Sequence, residues 1–380
     1  MVWGEAVKHW WWKSRGGANV IKLRKNTTIK PSLWPAIERV DERSKVRVSR
    51  RSASTTASAS VKLMTLVSRR KGTKASVVSL LTVLLYRDDK MSTEPKNILK
   101  LAVLSCSYNR KKKTARFLTS LVNQCVPGNC VMDVFLLDDN SPDGTAAYVE
   151  AKFPTVKVVK GSGSLFWAGG MRTLWQHVLN QGAYDLFLLC NDDVMLFDCA
   201  IGRLLSSYNL TKHPGNILLG TVRDSEGSMI TYGGQKIINR ITGDSANLAP
   251  AADMLVPCEI GNANIMLVDM ATVDSIGILS SAYTHGIADY DYTLTALKNG
   301  LNVWIAPGYY GICDNDHVVT WLPQKTSLKK RIEYLYSPKG LAYNEHMIYI
   351  KKHFPLSVPI THFKLWVKTL FPIMYDRFKK

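Results

Sequence analysis

From residue 98 onward, short apolar runs alternate along the chain with segments in which apolar positions recur at helical spacing. The apolar runs predict four strands, at residues 98–104, 131–137, 156–160 and 185–189. The intervening segments predict three helices, at residues 111–123, 143–152 and 170–181. Strand–helix alternation with short connections is typical of an α/β fold, in which helices cover both faces of a mostly parallel sheet.

After about residue 215 the pattern changes to shorter, partly antiparallel strands joined by turns that contain glycine. Strands are predicted at residues 217–222, 229–232, 235–241 and 303–306, and helices at residues 270–276 and 291–299. The last sixty residues are basic and aromatic, with predicted helices at 328–335 and 344–353. We therefore divide the chain into an extension at 1–90, an α/β domain at 91–320 and a helical C-terminal extension at 321–380.

The net charge of +19 is concentrated in the first quarter of the chain. Residues 1–90 carry 20 Lys and Arg against 6 Asp and Glu, whereas the other residues carry 29 against 24. Basic residues with interspersed aromatics, such as Trp10, Trp11 and Trp12, are one signature of nucleic-acid binding. This excess lies outside the regular domain, so we interpret 1–90 as a disordered or non-native extension and expect no nucleic-acid partner.

The seven cysteines are odd in number and include no Cys-x-x-Cys pair. This pattern predicts neither a disulfide framework nor a zinc site, and it makes a reducing cytosol the natural compartment. The longest apolar run, at 75–86, is too short to span a bilayer. We expect a cytoplasmic protein.

Polar clusters follow the first, second and fourth predicted strands, where the carboxyl ends of parallel strands meet and ligands bind. Asn191, Asp192 and Asp193 come directly after the fourth strand. Because adjacent carboxylates at a strand end need partners, they favour a hard divalent cation such as Mg²⁺ or Mn²⁺, although a solvated turn is equally compatible. Asp138, which ends the second strand, can accept hydrogen bonds from a nucleobase or a ribose. Asp143 suits a helix N-cap.

The ordered set of motifs resembles the family-2 inverting glycosyltransferases with the GT-A fold. The resemblance covers residues 98–320 and rests on seven segments: Tyr108-Asn109-Arg110, 138–145, 163–170, Asn191-Asp192-Asp193, 259–263, 288–292 and 297–300. Two positions depart from the family pattern. Asn191 stands where the metal motif begins with Asp, and the early proline of the first turn is replaced near Cys106 and Ser107.

The resemblance implies a role for each matching residue. Donor nucleotide binding is expected from Ser107, Tyr108, Asn109, Arg110, Asp138 and Asp192. The donor or acceptor sugar is expected at Trp167, Gly169, Gly170 and His285, with Phe166 as a further aromatic platform. Metal binding is expected from Asp193 and His317. Catalysis is assigned to Asp289, as the base that deprotonates the acceptor hydroxyl, and to Asp291, which binds the acceptor or positions the loop.

The resemblance implies a metal-dependent inverting transfer from a nucleoside-diphosphate sugar to a glycan or lipid-linked acceptor, in the synthesis of surface polysaccharides. Two other classes stay open on the residues alone: a nucleotidyltransferase with the same core, and a nucleic-acid-binding protein acting through 1–90. The first would carry a glycine-rich phosphate loop after the first strand, and residues 105–110 contain no glycine. The basic-aromatic C-terminal segment suits peripheral contact with the inner face of the cytoplasmic membrane.

Overall fold

The computed structural model describes residues 98–314 and 326–372, together with the backbone of five strands among residues 1–97. The chain divides into two units, Met1–Pro95 and Lys96–Lys380. The strands of the first unit are β1 (Trp10–Ser14), β2 (Gly17–Ile21), β3 (Ser44–Ala53), β4 (Val61–Arg70) and β5 (Ser79–Leu85). They pair antiparallel, β1 with β2 and β4 with both β3 and β5. We predicted that residues 1–90 are a disordered or non-native extension. Most of these residues lie outside the described part of the chain.

The second unit holds the regular α/β pattern. Its strands are β6 (Leu99–Ser107), β7 (Cys130–Asp138), β8 (Val156–Lys160), β9 (Leu186–Cys190), β10 (Met195–Leu196), β11 (Asn216–Arg223), β12 (Ile230–Tyr232), β13 (Gly234–Asn239), β14 (Asp244–Asn247), β15 (Val256–Pro257), β16 (Ile260–Gly261), β17 (Ile265–Asp269) and β18 (Asn302–Ile312). Its helices are α1 (Lys111–Val122), α2 (Thr145–Lys152), α3 (Phe166–Gln181), α4 (Ala200–Tyr208), α5 (Met270–Ile276), α6 (Ala288–Lys298), α7 (Leu328–Tyr336), α8 (Tyr343–His353) and α9 (Val358–Leu370).

The central sheet has the strand order β10-β18-β11-β17-β9-β6-β7-β8. Strand β6 pairs parallel with β7 and β9, β7 pairs parallel with β8, and β11 pairs parallel with β18. Strand β17 runs antiparallel between β9 and β11. A mostly parallel sheet flanked by helices confirms the predicted α/β fold class.

Both faces of this sheet are buried, as parallel sheets require. Along β6, Leu101 and Val103 face one layer and pack with Phe117 and Leu118 of α1. Ala102 and Leu104 face the other layer, which contains Trp175 of α3. Since successive strand side chains point to opposite faces, the uninterrupted apolar run of β6 supplies both cores at once.

The predicted helix at 170–181 begins four residues earlier, at Phe166. Its first free N–H groups find an acceptor far away in the sequence, because the backbone N–H groups of Ala168 and Gly169 donate to the carbonyl oxygen of Thr284 at 3.1 and 3.2 Å. A helix end needs such partners for its unpaired donors. The fold thus joins the start of α3 to the loop before α6.

Cys125 and Cys199 form a disulfide with Cα atoms 4.7 Å apart. This bond corrects the expectation that the cysteines form no disulfide. The 74-residue separation conceals the pairing in the sequence, whereas the fold brings Cys125, three residues past the end of α1, beside Cys199, the N-cap of α4. The other five cysteines are free thiols.

The helices within 98–314 and 326–372 lack the combination of length and apolar character that crossing a bilayer requires.

Candidate active site

The carboxyl ends of β6, β7 and β9 form one edge of the sheet. Ser107, the last residue of β6, is in register with Asp138, the last residue of β7, and Leu104 is in register with Leu189 of β9. The polar clusters that follow these strands therefore meet in one crevice, as the sequence predicts.

Asp138 is 3% exposed and anchors the turn after β7. Its carboxylate accepts a hydrogen bond from the Ser141 backbone N–H at 3.2 Å and another from the Ser141 hydroxyl. The Ser141 oxygen in turn accepts from the backbone N–H of Asn109 at 2.8 Å. Asn109 and Asn140 both have positive φ, a conformation that Asn tolerates better than most residues. The two turns of the crevice are thereby tied together.

Asp143 lies one residue before Gly144, which is the N-cap of α2, but its carboxylate still binds the first turn of that helix. Its carboxylate accepts from the backbone N–H groups of Thr145, at 3.1 Å, and of Lys111, at 2.9 Å. It therefore serves the first turns of α2 and α1.

Arg110 is paired with both carboxylates of the predicted metal motif. Its guanidinium lies 3.0 Å from Asp192 and forms a short ion pair with Asp193. Asp192 is 1% exposed and also accepts from the Thr114 hydroxyl at 3.0 Å. Burial, with the Asp193 charge beside it, raises the pKa of Asp192 against the opposing effect of Arg110. Burial alone would lower the pKa of Arg110, but the two carboxylates outweigh it and the pKa is raised.

Asn191, the first residue of the motif, has its side-chain oxygen engaged by Trp167, whose indole Nε1–H donates to it at 2.8 Å. The carboxylate of Asp193 stays partly accessible at 17%. A Mg²⁺ or Mn²⁺ ion needs only one or two carboxylates when substrate phosphates and waters complete its shell, so Asp193 fits the chemistry of such a site. In the described part of the chain, no three His, Cys, Asp or Glu side chains converge as a ready-made metal site. His317, the other predicted ligand, lies outside the described residues.

Asp139 is a site residue that the sequence interpretation passed over. It is 2% exposed, and its carboxylate accepts the backbone N–H groups of Gly163 at 2.7 Å and Leu165 at 2.8 Å. The available signal was its position in the Asp-Asp pair, one residue past Asp138. Asp139 fixes the loop that leads into Phe166, which itself has a positive φ of 56°.

The aromatic group at the start of α3 faces the loop before α6. The Trp167 backbone N–H donates to Nδ1 of His285 at 3.4 Å, and the Phe166 ring lies 6.1 Å from the His285 ring. The structure therefore brings together Phe166, Trp167 and His285, three side chains that the sequence placed near the transferred sugar.

Gly169 and Gly170 are buried in the first turns of α3. A Cβ atom on Gly170 would clash with Sγ of Cys106 on β6. Gly170 thus permits the close approach of helix and strand, which is a packing role separate from the sugar contact expected of it.

Asp289 lies in the first turn of α6 and is half-buried. Its carboxylate accepts the backbone N–H groups of Ala263 and of Tyr290, both at 3.0 Å. Burial raises the pKa of Asp289 to about 6, although these hydrogen bonds act in the opposite direction. A carboxyl group that ionises near neutral pH is suited to proton transfer.

Asp291 has a different environment from Asp289, because residues two apart point to different sides of a helix. It is 2% exposed and accepts from the hydroxyl of Tyr283 at 3.0 Å and from Lys352 Nζ at 2.9 Å. Nε2 of His353 lies 2.8 Å from the same carboxylate. Burial would raise the pKa of Asp291, but these partners prevail and the pKa is lowered. These contacts tie α6 to α8, a structural role that stands beside the acceptor-binding or loop-positioning role expected of Asp291.

Residues 102–250 match the family described as Glycosyl transferase family 2. No curated protein matches the chain. Among solved structures, the mannosyltransferase PcManGT of Pyrobaculum calidifontis, in complex with GDP-Man and Mn²⁺, is 14% identical over 71% of this chain and 69% of its own, with a TM-score of 0.43. TarS of S. aureus is 16% identical, with a TM-score of 0.43 over 72% of this chain and 48% of its own length. The chain therefore spans about half of TarS.

The matched segment contains most of β6, the Asp138 turn and the Asn191–Asp193 motif, which all contribute to the crevice. Residues 102–250 are therefore identified as a Glycosyl transferase family 2 segment of the chain.

Proposed function

We propose that this enzyme is an inverting transferase that moves a sugar from a nucleoside-diphosphate donor to an acceptor hydroxyl, with Asp289 as the general base. The observation that carries the proposal is the environment of Asp289. A half-buried carboxylate, held by two backbone N–H groups and with its pKa raised to about 6, is ionised at neutral pH yet basic enough to accept a proton.

The reaction then needs no covalent intermediate. As the acceptor oxygen attacks the anomeric carbon, its proton passes to Asp289 and the nucleoside diphosphate leaves from the opposite face. His285 and Trp167 flank the transferred sugar in this arrangement. Ser107, Tyr108, Asn109 and Asp138 bind the nucleoside, and the ordered turns around Asp138 are in place before the donor arrives.

Mg²⁺ or Mn²⁺ is the proposed cofactor, held by Asp193 and by His317. When bound, such an ion stabilises the negative charge of the leaving diphosphate. Arg110, which is paired with Asp192 and Asp193, supplies a positive charge from the protein beside the proposed metal position. Asp192 keeps Arg110 oriented and can accept from a ribose hydroxyl.

The acceptor is proposed to be a glycan or a lipid-linked sugar of a surface polysaccharide, met at the inner face of the cytoplasmic membrane. Support comes from an exposed apolar stripe, the apolar stripe of α9, which begins in the turn before this helix and continues along it. Leu356, Ile360, Phe363 and Leu370 recur at helical spacing and are 77, 46, 67 and 40% exposed. Residues 326–372 carry eight Lys and Arg against two Glu. Apolar side chains on a basic helical segment suit an anionic lipid surface.

A donor screen tests the proposed activity. The full chain is titrated with UDP-, GDP- and CDP-sugars in Mg²⁺, in Mn²⁺ and in EDTA. We expect one nucleotide class to bind, with affinity lost in EDTA and on Asp193→Ala. Asp198→Ala changes an exposed acid five residues along and serves as the matched control. Binding that is equal with and without metal would contradict the metal dependence.

A further inference from the structure

Lys339, in the connection between α7 and α8, lies against two aromatic rings of the crevice. Its Nζ is 5.7 Å from the centroid of the Tyr108 ring and 5.9 Å from that of the Phe166 ring. Both distances fall within about 6 Å, the range in which an ammonium is attracted to a ring face. Tyr108 belongs to the turn after β6, and Phe166 begins α3. The C-terminal helical segment thus places a cation on the crevice formed by the α/β domain.

The ammonium of Lys339 has no carboxylate counter-ion among the described residues. The side chain is exposed, and within residues 98–314 and 326–372 no carboxylate lies at ion-pair distance from it. Arg110, in contrast, is engaged by Asp192 and Asp193, and Lys113 lies 4.0 Å from Asp193. The carboxylates of Asp192 and Asp193 already neutralise the cations beside them. A diphosphate therefore forms its strongest charge-assisted hydrogen bond with a cation that is not yet paired.

The helix α8, which follows Lys339, is held at both of its ends. Glu345 of α8 accepts the backbone N–H of Thr284 at 3.0 Å, and the Thr284 carbonyl receives the first N–H groups of α3. Asp291 binds Lys352 and His353 at the other end of α8. These contacts fix α8, next to Lys339, on α6 and on the loop that also binds the start of α3.

We propose that Lys339 is a donor-binding residue that contacts the diphosphate of the nucleotide-sugar, so that the C-terminal helical segment completes the donor site. The inference rests on the proposed donor class and adds a residue outside the family segment at 102–250. The two rings hold the ammonium over the crevice before the donor binds, which reduces the entropy lost when it contacts phosphate.

The test compares a nucleoside with its diphosphate. Isothermal titration of the full chain in Mg²⁺ with uridine, UDP, guanosine, GDP, cytidine and CDP is carried out for the wild type, Lys339→Ala and Lys339→Arg. Lys351→Ala removes another exposed lysine of the same segment and is the control. Loss of a charge-assisted hydrogen bond predicts that Lys339→Ala weakens binding of the preferred diphosphate by about tenfold. Binding of the matching nucleoside is expected to stay unchanged, and Lys339→Arg to restore most of the affinity.

Two results would overturn the assignment. Unchanged diphosphate binding by Lys339→Ala would show that the ammonium does not reach the phosphates. An equal loss for nucleoside and diphosphate would show that Lys339 only supports the Tyr108 ring. Failure of the wild type to bind any of the six compounds would refute the proposed donor class and the Lys339 assignment with it. Either of the two results above leaves the donor class standing.

Discussion

The indole N–H of Trp167 donates to the side-chain oxygen of Asn191 at 2.8 Å, joining the start of α3 to the motif that follows β9. This contact gives a reason for the amide at a position where the family pattern has Asp. A neutral side chain accepts the indole hydrogen without adding a third carboxylate beside Asp192 and Asp193. The first residue of the motif is therefore used to position Trp167.

Trp167→Phe removes that hydrogen bond and keeps most of the ring. One neutral hydrogen bond is worth about 1 kcal/mol, so we expect kcat/KM for the donor to fall by about fivefold. Trp304→Phe is a matched control, because Trp304 makes the same contact with Asn216 at 3.0 Å in another part of the sheet. It is expected to lower the melting temperature while leaving kcat/KM unchanged. Equal kinetic losses in both variants would contradict the positioning role.

The sequence predicted the regular core well because its signals are local. The helix at 111–123 and the strand at 156–160 match α1 and β8 to within a residue. Asp138 and Asp192 could be placed at one edge because parallel strands end there.

The features that were missed depend on residues far apart. The start of α3 is completed by Thr284, and the Cys125–Cys199 bond joins residues 74 apart. Asp291 could be located in the sequence, but its environment could not, since Lys352 and His353 reach it from α8. No periodicity in the sequence encodes such pairings.

Asp291→Asn tests whether this carboxylate anchors α8. Removing the charge from a buried, paired site leaves Lys352 without its counter-ion, and we expect a stability loss of about 1–3 kcal/mol in urea unfolding. Because Asp291 does not take part in proton transfer in this account, kcat of the folded enzyme should change by less than about threefold. The exposed acid Asp274 supplies the control, Asp274→Asn. A large loss of kcat without any loss of stability would show that Asp291 takes part in catalysis and would contradict the anchoring role.

The apolar stripe of α9 predicts binding to anionic vesicles. The double variant Leu356→Ser, Phe363→Ser removes two exposed apolar side chains, each worth about 1.5–3 kcal/mol when buried, and should reduce partitioning by at least about tenfold. The assay is co-sedimentation with vesicles of phosphatidylglycerol and phosphatidylcholine, compared with phosphatidylcholine alone. Met229→Ser, Met254→Ser alters equally exposed residues of the α/β domain as a control. Equal binding of the wild type to vesicles with and without phosphatidylglycerol would argue against contact with an anionic membrane.

The pKa of Asp289 predicts the acid limb of the pH profile. Because burial raises this pKa to about 6, the carboxylate is ionised and able to accept a proton above that pH. Below it, the group is protonated, and kcat/KM should fall by about tenfold per pH unit. Initial rates between pH 4.5 and 8, with thermal unfolding followed at each pH, separate this loss from acid denaturation. A profile that stays flat down to pH 4.5 would contradict the raised pKa.

The most direct test of the account is the turnover of Asp289→Asn. Asparagine keeps one side-chain oxygen for the Ala263 N–H but cannot accept the acceptor proton. We expect kcat to fall by about 10²–10⁴-fold, the usual contribution of a general base, while the donor dissociation constant changes by less than about twofold. Single-turnover transfer and donor titration on the same preparation measure both quantities, with thermal unfolding as the check on folding. Wild-type turnover by Asp289→Asn, with donor binding intact, would contradict the assignment of Asp289 as the base.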